Sequence, residues 1–352
     1  MITDSRYAAT LKHPDVEEYI DLWFYRPMGF RLALLGERLR WTPNVISVIS
    51  IFLGIGAGLL CYPADWRWNL LGIMLLVMAD VCDSADGQLA RMTKQFSRLG
   101  RILDGASGDV WFVFIYVCIC LRLTPEWGWS VWALAAAAGF CHSKQAALAD
   151  YYRQFHLFFV NGKVGSEWDD ARQVADEYSR LRFADAPLYT VFMWFYRNYT
   201  GSQEAVTPRL QTFRRQLQQQ PLDENSRSAL IAESRPLMKW CNALTFNWRA
   251  ITLFIALMLG MPWLYFVAEL TVGNVLYVLK GYKSPSGRFA LFVHRSRSYT
   301  TIASFIICSI NSLSSDVSVT TSTGVPNAVS SSSANAASLN KVSTFPFEIT
   351  KS

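Results

Sequence analysis

Residues 80–109 read DVCDSADGQLARMTKQFSRLGRILDGASGD, and their types and spacing carry the chain's clearest chemistry. Asp83 and Asp86 stand three residues apart, which on a helix places both carboxylates on one face. Gly87, Ala90 and Arg91 follow and, after a basic turn, Gly100, Asp104 and Asp109. Apolar runs from Leu70 to Ala79 and from Val110 to Cys120 flank the stretch. The acids therefore lie at the ends of hydrophobic segments, where ionisable side chains are costly and by default mark function. Hydrophobic helices that meet at polar ends bearing carboxylates, glycines and an arginine have the composition of a divalent-metal site that handles phosphates.

Those helices belong to a chain built for lipid. Of its 352 residues 51% are hydrophobic and only 17% charged, a combination expected of a polytopic membrane protein with a cytosolic portion. The fold class expected is all-α, with six transmembrane helices near 43–62, 68–91, 99–123, 127–149, 241–261 and 263–280. Pro43 opens the first, and Gly54, Gly56 and Gly58 permit close helix contact there. The turn at 91–98 is short, so the second and third spans are antiparallel neighbours whose acidic ends converge.

Five regions follow. Residues 1–40 form a juxtamembrane amphipathic region whose aromatics and arginines suit a surface helix, or equally a cytosolic helix packed on the membrane domain. Residues 41–149 hold four spans and the acidic motif. Residues 150–240 are a polar cytosolic insertion, expected to lie apart from the catalytic core, with helical stretches near 166–181 and 209–220. Its aromatic run 189–196 is too short to span; it either dips into the membrane interface or, the favoured reading, packs as a small core. Residues 241–282 hold the last two spans, and 283–352 a largely disordered tail rich in Ser and Thr.

Lysines and arginines concentrate in the N-terminal region, the 91–101 turn, the insertion and the tail, which puts both termini and the acidic site on the cytoplasmic side. The net charge of +6 is confined to these loops and implies no nucleic-acid partner. The first forty residues are polar and mixed, unlike a cleavable signal peptide. Seven cysteines without a CxxC pair read as small buried residues, and the four histidines (13, 142, 156, 294) lack metal-ligand spacing.

The run Asp83-x-x-Asp86-Gly87-x-x-Ala90-Arg91, then Gly100 and Asp104, resembles the signature of the CDP-alcohol phosphotransferases. The resemblance is strong over about 40–150 and implies an integral membrane enzyme of phospholipid synthesis, one that moves a phosphoryl-linked group from a CDP-activated donor to an alcohol and releases CMP. It departs at one place. The family's fourth aspartate would fall at 108, which is glycine here, while Asp109 follows one position later.

A donor diphosphate will not approach a carboxylate cluster unless cations intervene. Two magnesium or manganese ions held by Asp83, Asp86, Asp104 and Asp109 would bridge carboxylate and phosphate oxygens. Asp104 and Asp109 are the catalytic candidates, with Asp109 as general base. On an undistorted helix Asp109 is rotated away from Asp104, so a π-bulge supported by Gly105 and Gly108 is expected to bring it back. By the resemblance, Gly87, Ala90, Arg91 and Gly100 border the nucleotide, and Asp80, Lys144 and Arg249 are acceptor-binding candidates.

The expected donor is CDP-diacylglycerol and the acceptor a small polar alcohol, with a lean toward inositol or inositol phosphate. The alternatives are CDP-choline or CDP-ethanolamine acting on diacylglycerol, and a non-catalytic metal- and nucleotide-binding protein or transporter. Membrane lipids are partners, and homodimerisation is left open.

Overall fold

The computed structural model describes residues 5–162, 170–206, 211, 213, 214 and 223–275. Among them there is no strand. Helix α1 covers Ser5–Thr10, a π-helical turn covers Asp21–Tyr25, and α2 runs on from it over Arg26–Arg38. The core helices are α3 (Pro43–Leu59), α4 (Trp66–Thr93), α5 (Arg98–Trp127) and α6 (Ser130–Asn161). The insertion contributes α7 (Ala171–Ser179), α8 (Pro187–Val206) and α9 (Glu224–Asn242). Then come α10 (Phe246–Met258), α11 (Trp263–Ala268) and a π-helical turn, Glu269–Gly273.

Local signals set these boundaries. Thr42 is extended and Pro43 occupies the first turn of α3, where its missing N–H costs nothing. The Asp65 carboxylate accepts the Arg67 N–H at 2.8 Å and starts α4. Lys94, with φ of 56°, ends that helix in the left-handed region. Three residues later the Ser97 hydroxyl caps α5 by accepting the Gly100 N–H at 2.9 Å.

Helix α3 packs against both α4 and α5, whereas α4 and α5 touch each other sparingly. Glycine allows this approach. A Cβ on Gly54 would fall 1.9 Å from the Trp111 ring, and one on Gly58 would fall 2.7 Å from Phe114 Cβ. The main core gathers Leu76, Trp111, Ile115, Ile119, Leu134 and Phe155 with Leu253, Tyr265 and Phe266. The six described cysteines are all buried and free.

Helical segments occupy all six expected span positions. Among the described residues two stretches are long and apolar enough to cross a membrane, α5 and the run Glu224–Met258, while Pro43–Leu59 and Trp263–Gly273 are shorter apolar helices. Phe52, Met74, Val113, Leu121 and Ile255 point outward, an apolar exterior that fits a membrane protein. Several boundaries differ from expectation. Helix α6 continues past 149 to Asn161, because Tyr151, Tyr152, Phe155 and Phe159 stay buried on one face. The expected fifth span is preceded by α9 and broken at Ala243–Thr245. The end of the expected sixth span, most of 209–220 and the whole tail lie outside the described residues.

The run 189–196 lies within α8. Met193, Tyr189, Phe192 and Tyr196 form a small core with Val174 of α7 and Ile102 of α5, as expected. In the N-terminal region Phe30 and Ala33 are buried, while Tyr19 and Trp23 remain 94% and 83% exposed. That stretch therefore has both a packed face and a face suited to a membrane surface.

Candidate active site

The acidic ends of α4 and α5 open into a cavity of about 590 Å³. Asp83, Asp86 and Asp104 each direct a carboxylate oxygen to one point, all within 4.8 Å of one another. Asp86 is buried and accepts a hydrogen bond from the Ser47 hydroxyl of α3. Asp83 accepts from Ser107 of α5 at 2.8 Å, and Asp104 is open to the cavity. Three carboxylates so placed repel one another unless a cation or proton intervenes. The cluster has the dimensions of a coordination shell, since oxygens on opposite sides of a magnesium ion lie about 4.1 Å apart. The residues present therefore fit a divalent ion.

The rim of the cavity suits an anion. Arg91 donates from Nε to the Thr10 carbonyl at 2.8 Å, while its buried Nη2 has no hydrogen-bond partner. A Cβ on Gly87 would meet nothing nearer than this guanidinium, at 3.5 Å, and both residues line the cavity with Ala90. Gly100 also lines it, but the structure gives a further reason for glycine there. A Cβ would lie 2.7 Å from Asn44 Oδ1 and 2.9 Å from Ser97 Oγ, so the α5 cap has no space for one.

Asp109 lines the same cavity but stands outside the three-carboxylate group. Helix α5 is α-helical throughout, and the expected π-bulge is not present. Open space surrounds Gly105 and Gly108, with nothing within 4 Å of a Cβ built on either, so no contact forces the helix to distort. The α-helical path turns Asp109 toward α8, where Tyr199 feels its charge.

Asp80 lines the cavity one turn deeper than Asp83. Lys144 and Arg249 do not line it. Lys144 Nζ donates to Ser202 Oγ of α8 at 2.6 Å. Arg249 is buried against Glu269 at 3.7 Å and donates to the His142 carbonyl at 3.4 Å and to Gln145 Oε1 at 3.3 Å.

Two walls were not anticipated from sequence. One is the N-terminal segment, which contributes Lys12, Glu17, Glu18, Asp21 and Arg26. It is held by Arg26, which pairs with Glu17 at 3.1 Å and donates to Ser84 at 3.2 Å, and by Asn247, which donates to Glu18 at 3.0 Å and Asp21 at 2.8 Å. Burial pushes the Glu18 carboxyl above its ordinary value, against the pull of hydrogen bonds from Thr245 and Asn247. The second wall is α8, so the insertion does not stand apart from the site as expected. Tyr196, Tyr199, Thr200 and Gln203 recur at helical spacing on the lining face. Only that spacing, in the midst of an aromatic run, could have signalled their role.

A second group of metal-ligating types lies nearby. His13, Asp15 and His156 come within 4.8 Å of one another, although 141 residues separate the last two. Arg235 of α9 donates to Asp15 at 2.9 Å, and His156 bonds Ser234 at 2.7 Å. The arrangement is an ion-pair latch joining the N-terminal segment to α6 and α9.

Comparison with known proteins bears on the same region. Residues 40–151 match the family described as CDP-alcohol phosphatidyltransferase. The chain is 30% identical over 103 residues to a bifunctional IPC transferase and DIPP synthase of Aquifex aeolicus, covering 28% of this chain and 22% of that protein. It is 33% identical over 99 residues to a putative cardiolipin synthase of Mycobacterium bovis, covering 27% and 45%. It is 27% identical over 101 residues to a phosphatidylinositol phosphate synthase of Cutibacterium acnes, covering 29% and 48%. The matches thus span less than half the length of each of these relatives. No solved structure matches the chain significantly. The matched residues contain all three clustered aspartates, Gly87, Arg91 and Gly100, so the part of the chain that resembles the CDP-alcohol phosphatidyltransferase family is the part that builds the acidic site.

Proposed function

We propose that this chain is a multi-pass membrane enzyme that transfers a phosphatidyl group from CDP-diacylglycerol to the hydroxyl of a polar alcohol and releases CMP. The observation that carries the reading is the convergence of Asp83, Asp86 and Asp104 in a cavity at the ends of apolar helices. The acceptor class is inositol-type, a reading supported by the relative named as a phosphatidylinositol phosphate synthase.

Magnesium or manganese, one ion or a pair, would be held by the three aspartates and would neutralise the diphosphate and the leaving CMP. The chain's own residues do the rest. Ser47 and Ser107 orient the Asp86 and Asp83 carboxylates by donating to them. Arg91, with an uncommitted Nη2, offers a charged donor to a phosphate oxygen beside Gly87. Asp109, which lines the cavity outside the cluster, would accept the proton of the attacking hydroxyl. The cavity opens on the cytoplasmic side, with six helices crossing the bilayer.

Purified chain in detergent, given CDP-diacylglycerol, magnesium and a panel of alcohols, should form a phosphatidyl product with an inositol-type acceptor. Product formed instead from CDP-choline or CDP-ethanolamine and diacylglycerol would overturn the donor assignment.

A further inference from the structure

The fourth acid of this chain stands at 109 rather than 108, and the polar segment 150–240 follows the motif. The structure brings both to one place. Residue 109 lies about 100° further round α5 than residue 108, and Asp109 faces the part of the cavity walled by α8 of the insertion. There Asp150 of α6 accepts at Oδ2 from Tyr199 Oη at 3.2 Å and from Gln203 Nε2 at 3.2 Å. Gln203 also donates to the Ala147 carbonyl at 3.1 Å, which fixes α8 against α6. Burial, then the neighbouring Asp150 charge, raises Tyr199 well above a phenol's ordinary value, so it remains a hydrogen-bond donor at any physiological pH.

None of the four α8 residues lining the cavity is charged, and Lys144, which does not line it, donates to Ser202 at 2.6 Å. A wall of one carboxylate with phenol, amide and hydroxyl groups matches the alternating donors and acceptors of a hydroxyl-rich ligand.

We infer that Tyr199 and Gln203, set on Asp150, form an acceptor-specificity wall that binds the non-reacting hydroxyls of a polyol while its reacting hydroxyl faces Asp109. The inference rests on the proposed transferase function and adds the insertion to the substrate site.

The test is steady-state kinetics of the full chain in detergent with an inositol-type acceptor. Tyr199→Phe and Gln203→Met should each raise the acceptor KM about 3- to 10-fold, the scale of losing one hydrogen bond. The donor KM and the magnesium requirement should stay at wild-type values. Tyr189→Phe, on α8 but bonded to Glu177 away from the cavity, should leave the acceptor KM unchanged. In the unmutated protein, saturating acceptor should slow hydrogen exchange across 196–203 in the presence of CMP and magnesium, a readout that needs no variant to fold. Wild-type acceptor KM in both variants, an equal rise in Tyr189→Phe, or exchange unaffected by acceptor would each overturn the wall. Absence of transfer to any alcohol by the unmutated chain would instead overturn the proposed function.

Discussion

Ser107 Oγ lies 2.8 Å from Asp83 Oδ1 and 2.8 Å from the Asp104 carbonyl oxygen, so one hydroxyl links the two acidic helices at the cluster. It carries a single proton for two acceptors, so it serves the Asp83 carboxylate and the Asp104 carbonyl in turn. The position directly precedes Gly108, where the family's fourth acid would fall.

Ser107→Ala should therefore weaken metal binding more than it slows a saturated enzyme. Groups that orient metal-ligating side chains typically contribute about 10- to 100-fold in affinity. Titrating turnover with magnesium should show a rise in half-saturation of about 10-fold, with the rate at saturation near wild type.

Asp83→Ala, Asp86→Ala and Asp104→Ala should each abolish transfer, because each removes one member of the three-carboxylate cluster. Manganese binding, followed by electron paramagnetic resonance, should weaken in parallel. Wild-type manganese affinity in any of the three would remove that residue from the ligand set.

The fourth acid gives a paired prediction. Asp109→Asn should lower turnover about 100-fold, the usual scale for a positioned base, with donor binding nearly intact. The space around a Cβ at Gly108 is open, so Gly108→Asp should fit without repacking. The double variant should regain at least part of the lost rate. A near-normal rate in Asp109→Asn alone would place the base elsewhere.

Much of this was legible in sequence, for stated reasons. Asp83 and Asp86 stand at helical spacing, and the short turn after them returns the chain so that Asp104 meets them, with α3 packed against both helices. Thr42 and Pro43 likewise start α3 through local chemistry. Asp109 was legible as an acid near the site but not in its facing. The expected π-bulge assumed a need to restore the fourth position, whereas α5 continues undistorted and delivers Asp109 to a wall that only tertiary packing builds. Tyr199 and Gln203 reach the cavity because Met193 and Tyr196 dock α8 on Ile102, a contact across about ninety residues that no local pattern encodes. His13 and His156 lack metal-ligand spacing in the sequence, yet the fold brings them within ligand distance of Asp15.

That latch predicts a pH dependence. Hydrogen bonds from Arg235 and His156 outweigh the opposing effect of burial and hold Asp15 below its ordinary carboxylate value of 3.8. Burial, opposed by the bond to Asp15, lowers His156 below its ordinary 6.5. Both groups bind fewer protons folded than unfolded, so the unfolded state gains as pH falls. The His156 contribution is present above pH 6.5 and is lost progressively below it; the Asp15 contribution is lost only below 3.8. The melting temperature in detergent should decline as pH drops from 7 to 5. His156→Gln should melt lower at pH 7 but show a flatter decline, and an unchanged slope would remove His156 as its cause.

The most direct test of the central claim is CMP release by the purified, detergent-solubilised chain supplied with CDP-diacylglycerol, an inositol-type alcohol and magnesium. The account predicts release that depends on the alcohol, stops with excess chelator and returns when magnesium is restored. CMP release that continues at full rate in excess chelator would contradict the role given to Asp83, Asp86 and Asp104.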